Sequence, residues 1–189
     1  LDEAGCYEEA VIKSDDKELT QRLEKLNILV GTQITYDWNG NKVVVDGDTI
    51  HEWIQTDTKN PQLDEEAIAG FVAEQAKEYD TYGKKRKFTT IQGIELTLPG
   101  GAYGWKTDRE EETKELTAAI EKGETLDKEP VYSSKGAQKG SDDIGSSYVE
   151  IDLTNQHLYL FQKGNIVLET DFVSGNMSKP GCVTPPGVF

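Results

Sequence analysis

The chain has 189 residues, which is enough for one domain and part of a second. Its 35 acidic and 20 basic side chains give a net charge of −15, a balance that argues against nucleic acid as a partner. No run approaches the ~18 apolar residues of a membrane span, and no signal region follows Leu1, so we expect a soluble excised piece whose parent carries any membrane anchor elsewhere.

The first predicted element is a helix from Asp16 to Leu26. Leu19, Leu23 and Leu26 fall on one face at helical spacing, and Asp15 or Asp16 can cap the first turn. A hairpin follows, because Asn39-Gly40 separates two strand-like runs at 33–38 and 42–45 and both turn positions favour positive φ.

The Asp46-Gly47-Asp48 stretch is predicted to be a plain turn that leads into a short helical stretch around 50–54. It resembles the start of a calcium loop only faintly, since the next Asp or Asn position and the distant Glu of an EF-hand are missing. With His51 and His157 as the only histidines, and two cysteines far apart, no metal site is predicted.

Two further helices are predicted, with a strand between them. The first covers 64–79 and carries apolar residues at helical spacing, and the strand covers Ile94 to Leu98. The second begins at Thr107, which forms a capping box with Glu110, and it buries Leu116 and Ile120 before ending near Gly123. Helices alternating with short strands indicate an α+β fold class for this domain.

The composition changes between 123 and 145 to Gly, Ser, Lys and Asp, with almost no large apolar residue. We therefore predict a linker at 127–146, which separates an N-terminal mixed α+β domain at 1–126 from a second domain that begins at 147.

After the linker the apolar period becomes two. Val149, Ile151 and Leu153 face one way, and Leu158 and Leu160 repeat the pattern, which predicts the first strands of an antiparallel sheet with one buried face. A segment of about 43 residues with unpaired edges is difficult to stabilise as a free domain.

Specific residues of 147–189 resemble the opening of a YkuD-type L,D-transpeptidase catalytic domain. The matching positions are Asp152, Leu153, Gln156, Leu158, Phe161 and Gly164, followed by Ser174-Gly175 and the Thr184-Pro185-Pro186-Gly187 corner. The resemblance implies that 147–189 is the incomplete first part of this all-β domain.

The N-terminal part resembles the peptidoglycan-binding accessory domain that precedes YkuD in Gram-positive, enterococcal-like L,D-transpeptidases. The residues that carry this resemblance are Tyr79-Asp80-Thr81-Tyr82-Gly83, the basic run ending at Phe88, 99–105 (PGGAYGW), the Thr107–Glu110 helix start and Glu129-Pro130-Val131-Tyr132. The two resemblances together cover about two thirds of the chain.

The resemblance implies a cysteine acyltransferase that forms 3→3 cross-links between peptidoglycan stem peptides and serves cell-wall biogenesis and cell shape. It implies an extracytoplasmic protein at the cell wall or outer face of the membrane, with stem peptides as partners and no cofactor, and we expect a monomer. The family takes its nucleophile from a Ser-His-Gly-Cys block, which this sequence lacks. We therefore expect the catalytic cysteine beyond Phe189, no catalytic residue within the chain, and an inactive fragment; the substrate-binding residues stay unassigned.

Two candidate features inside the chain are weighed against simpler interpretations. Cys182 has no histidine near it in sequence, which favours a buried or incidental turn cysteine over a nucleophile. Tyr82, Tyr103 and Trp105, together with the basic run 84–87, could form a glycan or anionic-polymer surface. The interpretation we favour is that Tyr82, Phe88 and Trp105 pack beneath a Gly-rich loop while the lysines face solvent.

A different class of function stays open at this point. The N-terminal domain also suits a non-catalytic wall-binding or spacer module. A weaker alternative is that the terminal strands pair with the sheet edge of a partner.

Overall fold

The computed structural model describes residues 16–55, 60–176 and 178–189, so Cys6 and the alternative cap Asp15 lie outside the described residues. The described helices are α1 (Lys17–Val30), α2 (Gly47–His51), α3 (Glu65–Tyr79) and α4 (Arg109–Lys122). The described strands are β1 (Gln33–Trp38), β2 (Asn41–Val45), β3 (Ile54–Gln55), β4 (Gln62–Leu63), β5 (Arg86–Thr89), β6 (Glu95–Leu98), β7 (Lys106–Thr107), β8 (Thr125–Lys128), β9 (Tyr132–Ser134), β10 (Tyr148–Asp152), β11 (His157–Gln162) and β12 (Asn165–Asp171). This mixture confirms the predicted α+β fold class.

Aspartates cap the helices, because a carboxylate can accept from the free backbone N–H groups of a first turn. Asp16 accepts from the N–H groups of Glu18 and Leu19 at 3.0 and 3.1 Å, as predicted. Asp46 caps α2, so the stretch predicted as a plain turn is a helix start.

The predicted start of α4 is wrong by one residue. Asp108 caps α4 by accepting from the N–H of Glu111 at 3.2 Å. Thr107 lies in β7 instead, because its hydroxyl is engaged by two other groups. It accepts from Trp38 Nε1 at 3.2 Å and donates to Asp80 at 2.7 Å.

The main core lies between the helices and a mixed three-stranded sheet of order β2-β1-β8, in which β1 runs antiparallel to β2 and parallel to β8. Asn39 and Gly40 join β1 to β2 with φ of 52° and 85°, which confirms the predicted hairpin turn. Most of the fully buried apolar side chains of this core come from β1, α3 and α4, and α1, β2 and α2 add one each. They are Ile34, Tyr36, Trp38, Ile68, Val72, Ala76, Leu116 and Ile120, with Leu29, Val45 and Ile50.

The face predicted for α1 is only partly buried, since Leu19 and Leu26 are half-buried. Leu23 is 51% exposed, whereas Leu29, beyond the predicted end of the helix, is buried. The helix extends to Val30, and its last turn meets the core, so the leucine pattern identified a helix without identifying its contact.

The segment predicted as a linker at 127–146 is ordered against the N-terminal domain. β8 adds to the main sheet beside β1, β9 pairs with β7, and Pro130 and Asp143 are buried. Its polar composition does not prevent this order, because hydrogen bonds and ion pairs hold these residues, such as those of Asp143 and Lys139. Whether the segment links two domains stays a prediction. The outer boundaries of the two domains stay a prediction.

The C-terminal strands form the predicted antiparallel sheet, in the order β10-β11-β12. Its apolar face is not buried among the described residues, since Val149, Ile151 and Leu168 are each about half exposed. The opposite face of β10 makes the contacts with the N-terminal domain, because Tyr148 and Glu150 point toward the β5–β6 hairpin. The prediction of a buried Val149–Ile151 face is therefore wrong for these residues.

Among the described residues, none of the helices combines the length and the apolar composition that crossing a bilayer requires.

Candidate functional site

The loop that follows α3 is fixed by backbone contacts with the glycine-rich stretch at 99–105. Thr81 and Tyr82 donate their N–H groups to Trp105 O, both at 3.0 Å. A side chain at Gly100 would overlap the carbonyl of Gly83, so only glycine permits this approach. The Tyr82 side chain is therefore held at a defined place on the surface.

Arg86 is buried under this loop and does not belong to a surface patch. Its Nε and Nη2 donate to the carboxylate of Asp143 at 2.6 and 2.7 Å, in a bidentate ion pair. Burial opposes the charged form of Asp143, but hydrogen bonds from Arg86 and Thr81 outweigh it and hold the pKa of Asp143 below its usual value. The basic surface predicted at 84–87 therefore does not include Arg86, which is buried.

Trp105 is also structural. Its indole Nε1 donates to Gln138 O at 2.8 Å, and its ring lies 4.7 Å from the ring of Tyr132 in an edge arrangement. The side chain is buried, so the surface hypothesis is wrong for Trp105 and the packed interpretation is right for it. Tyr82, by contrast, stays 37% exposed, which contradicts the packed interpretation for that residue.

A cleft of about 640 Å³ opens beside Tyr82, between the end of α3 and the start of α4. We call it the basic cleft, because four of the residues that line it are cationic: Lys77, Lys84, Lys106 and Arg109. The Lys106 ammonium lies 5.1 Å from the centre of the Tyr82 ring, within range of a cation–π interaction. Lys84 Nζ donates to the carbonyls of Lys77 and Glu78, at the C-terminal end of α3.

Two carboxylates also line the basic cleft, and both are engaged within the protein. Asp80 accepts from the N–H of Thr107 at 3.0 and 3.1 Å and from its hydroxyl. Asp108 caps α4. Their acceptor capacity is therefore partly used, and the cations outnumber them two to one.

Sequence reasoning found Tyr82 and Lys84 but missed Lys77, Lys106 and Arg109. These three residues belong to α3, β7 and α4, and no spacing rule connects them. The available sequence signal was the presence of charged residues near the turns that flank neighbouring helices. Without the tertiary contacts, this signal does not show that the three residues line one cleft.

The contact between the two domains is a second feature of this region. Phe88 on β5 packs edge-on against Tyr148 with the ring centres 5.6 Å apart. The Glu150 carboxylate accepts from the N–H of Ile91 at 3.2 Å, and burial raises the pKa of this carboxyl above its usual value. A side chain at Gly101 would overlap the backbone of Val188, so the 184–189 corner also lies against the N-terminal domain.

Cys182 is exposed and lies in a turn, with its N–H donating to Lys179 O at 3.1 Å. It is therefore a turn cysteine as predicted, but not a buried one. His157 pairs with Asp171 at 2.8 Å, and no contact links it to Cys182 in the described residues. Within the same residues, no group of three metal-ligating side chains is found.

Two solved structures are similar to this chain. One is the carbamoyl enzyme that the enterococcal L,D-transpeptidase Ldtfm forms with avibactam; it is 31% identical, with a TM-score of 0.65 over 89% of this chain and 65% of its own. The other is an Enterococcus faecium L,D-transpeptidase with a cysteine-to-serine mutation; it is 30% identical, with a TM-score of 0.64 over 88% of this chain and 66% of its own. The chain therefore spans slightly less than two thirds of the length of these structures.

At the level of sequence families, the family described as "Putative peptidoglycan binding domain" matches residues 12–127. This match covers more than half of the chain, and the chain belongs to that family of peptidoglycan-binding domains. A search of curated proteins gives no significant match.

Proposed function

We propose that this chain is part of a peptidoglycan L,D-transpeptidase that forms 3→3 cross-links between stem peptides. One observation carries the proposal: the similarity to two L,D-transpeptidase structures extends over 88–89% of the chain. Residues 12–127 are less than two thirds of the chain, so this similarity must include most of 128–189 and hence the C-terminal sheet.

The proposed chemistry is an acyl transfer. A cysteine thiolate attacks the carbonyl carbon of the third residue of a tetrapeptide stem, and the terminal D-alanine leaves with a proton on its amine. The side-chain amine of a neighbouring stem then attacks the thioester, which forms the cross-link and returns the thiol. These steps need a base for the thiol and hydrogen-bond donors for the tetrahedral oxyanion.

The nucleophile of this proposal lies outside the 189 residues. Cys182 is exposed, and its hydrogen-bond partner is a backbone carbonyl in a turn. A thiolate nucleophile needs a histidine or another cation beside it, and the nearer histidine in sequence is committed to Asp171. The chain by itself is therefore expected to be inactive.

The proposal places the protein outside the cytoplasm, at the cell wall or outer face of the membrane of a Gram-positive cell. Peptidoglycan stem peptides are its partners, and it acts as a monomer without a cofactor. The family match to a peptidoglycan-binding domain supports the wall as its location.

The test compares two proteins on disaccharide–tetrapeptide units, with products identified by mass spectrometry. The 189-residue chain should yield no dimer. The longer product of the native gene should yield a 3→3 dimer with loss of D-alanine, and replacing its histidine-flanked cysteine with alanine should abolish it. A gene that reads past Phe189 without such a cysteine would rule the enzyme out.

The second candidate is a non-catalytic wall-binding or spacer module. The family match favours it, since residues 12–127 account for most of the packed core. Binding to purified sacculi without any cross-linking by the longer gene product would support this candidate against the first.

A further inference from the structure

We propose that the basic cleft is the site at which this protein holds peptidoglycan, with a stem-peptide carboxylate at its cations and a sugar face against Tyr82. The inference deepens the proposed function and relies on it only for the identity of the polymer. Nothing in it requires the catalytic cysteine.

The charge distribution is the first argument. The whole chain carries −15, yet the basic cleft has four cationic side chains against two carboxylates. Its cations form no ion pair with a carboxylate in the described residues, whereas five lysines elsewhere do: Lys114, Lys122, Lys128, Lys135 and Lys139. An anionic group that reaches this part of the surface therefore meets unpaired positive charge.

The hydrogen bonds that the carboxylates of Asp80 and Asp108 already accept are the second argument. Asp80 is held by three hydrogen bonds from Thr107, and Asp108 is held by the first turn of α4. Because both carboxylates have partners, neither needs Lys106 or Arg109 for its own stabilisation. Arg109 therefore stays available to a ligand, and the positive charge of Lys106, which lies beside the Tyr82 ring, is not neutralised by either carboxylate.

Tyr82 is the third argument. Its ring is 37% exposed at the edge of the cleft, although its backbone is fixed by Trp105 O. An exposed aromatic ring on a fixed backbone loses little entropy on binding and offers an apolar face to the apolar face of a sugar. A carbohydrate that carries a carboxylate matches both features of the cleft.

The size of the cleft agrees with such a ligand. Its volume of about 640 Å³ lies within the range of roughly 300–1,000 Å³ found for small-ligand sites. One disaccharide with the first residues of its stem peptide is a ligand of this size class. Phosphate-bearing wall polymers would also be attracted by lysines, but they lack the stem peptide that the family's ligand carries.

The test measures binding of the full 189-residue chain to sacculi from which phosphate-bearing polymers have been removed, and to soluble disaccharide–tetrapeptide by calorimetry. The decisive variant is Lys77→Glu/Arg109→Glu, since both side chains are exposed and neither forms an ion pair with any residue in the described part of the chain. The matched control is Lys85→Glu/Lys87→Glu, which makes the same charge change at two exposed lysines that do not line the cleft. Tyr82→Ala tests the sugar contact.

We expect Lys77→Glu/Arg109→Glu to weaken binding by about tenfold or more, and Tyr82→Ala to weaken it by severalfold, with circular dichroism and melting temperature unchanged. The control should bind as the wild type does. Equal loss of binding in both double variants would mean that binding depends on the overall charge of the protein and not on the cleft, which would overturn the inference. Binding only to sacculi that retain phosphate-bearing polymers would show that the bound group is a phosphate and not a stem-peptide carboxylate, and this result would also overturn the inference.

The outcome also separates this inference from the proposed function. A wild-type chain that fails to bind any sacculi contradicts a wall role for this domain. If the wild-type chain binds sacculi and the cleft variants bind equally well, the proposed function stands and the cleft is ruled out as the binding site.

Discussion

The same sequence pattern has opposite outcomes in the two domains. In β1, alternation places Ile34, Tyr36 and Trp38 on one face, and all three are buried against α3 and α4. In β10, alternation places Val149 and Ile151 on one face, and each is 48% exposed. Alternation therefore predicts a strand and the face that could be buried, but burial requires a second layer, which β1 has and which the Val149–Ile151 face of β10 lacks among the described residues.

The contacts that join the domains differ in kind from those of the core. The N-terminal core is mostly apolar, whereas the C-terminal sheet contacts the N-terminal domain through Phe88, Tyr148 and the buried Glu150 carboxylate. Such a contact is small and partly polar, so it should be weaker and more sensitive to pH than the core. Five predictions test this contrast, from the largest expected effect to the smallest.

Replacing Trp38 with alanine should be the most damaging change. It empties a fully buried site and removes the hydrogen bond to Thr107, so we expect a loss of about 4–5 kcal/mol in the free energy of unfolding. Urea unfolding followed by tryptophan fluorescence, with Trp53 and Trp105 as remaining probes, measures it. A loss below about 1 kcal/mol would mean that the main sheet does not form the core.

Arg86→Ala should cost about 3 kcal/mol, because it leaves the Asp143 carboxylate buried without its partner. The double variant Arg86→Met/Asp143→Leu should recover much of this loss, since it removes both charges. Thermal unfolding of the two variants checks it. Equal destabilisation by both would show that the ion pair itself, and not the orphaned charge, stabilises the loop.

Two of the buried carboxyls, Asp143 and Glu150, should respond to pH in opposite directions. The pKa of Asp143 is lowered, so its stabilising effect is present above the ordinary aspartate pKa of about 4 and is lost as the pH falls through the lowered value. The pKa of Glu150 is raised, so its effect favours the folded contact at acid pH and is lost as the pH rises through the raised value.

Carbon-13 NMR titration of the two carboxyls tests these directions. The midpoint of Asp143 should lie below the usual value and that of Glu150 above it. Asp143→Asn should reduce the loss of unfolding free energy at acid pH. Glu150→Gln should reduce only the pH dependence of hydrogen-exchange protection at the Ile91 amide. Midpoints in the opposite order would contradict both the Arg86 ion pair at Asp143 and the burial of Glu150.

Phe88→Ala should loosen the contact between the domains at a cost of about 1 kcal/mol, because it removes one edge-on aromatic pair with Tyr148. Limited proteolysis should then cut more rapidly near 144–147, while the N-terminal domain stays resistant. Phe88→Leu is a suitable control, since it keeps the apolar volume. Unchanged cleavage would mean that Glu150 and the 184–189 corner hold the sheet without this pair.

Ile151→Ala should have the smallest effect, below about 0.5 kcal/mol in the 189-residue chain, because its face is uncovered among the described residues. If the native protein carries a catalytic domain that covers this face, the same substitution should cost about 2 kcal/mol or more in that protein. Chemical unfolding of both proteins gives the two values. Equal small losses would show that the face stays open.

Local sequence signals predicted most of the elements. The Asp16 cap, the Asn39-Gly40 turn and the helix ending at Tyr79 were each correct, because caps and turns depend on neighbours in the chain. The resemblance to L,D-transpeptidases was confirmed by the structural similarity and the family match. Signals that concern contacts between distant residues were poorer, as the exposed Leu23 and the ordered 127–146 segment show.

The sequence by itself determined the main helices, the Asn39-Gly40 turn and the longest strands, and which family the N-terminal domain resembles, since these depend on short-range sterics and on motif order. Only the tertiary structure decided that Arg86 is interior while Tyr82 is not, and that Lys77, Lys106 and Arg109 meet in one cleft. The physical reason is that burial and ion pairing depend on which distant residue comes near, such as Asp143, 57 positions from Arg86. No local sequence pattern shows that two residues so far apart in the chain lie close together in the fold.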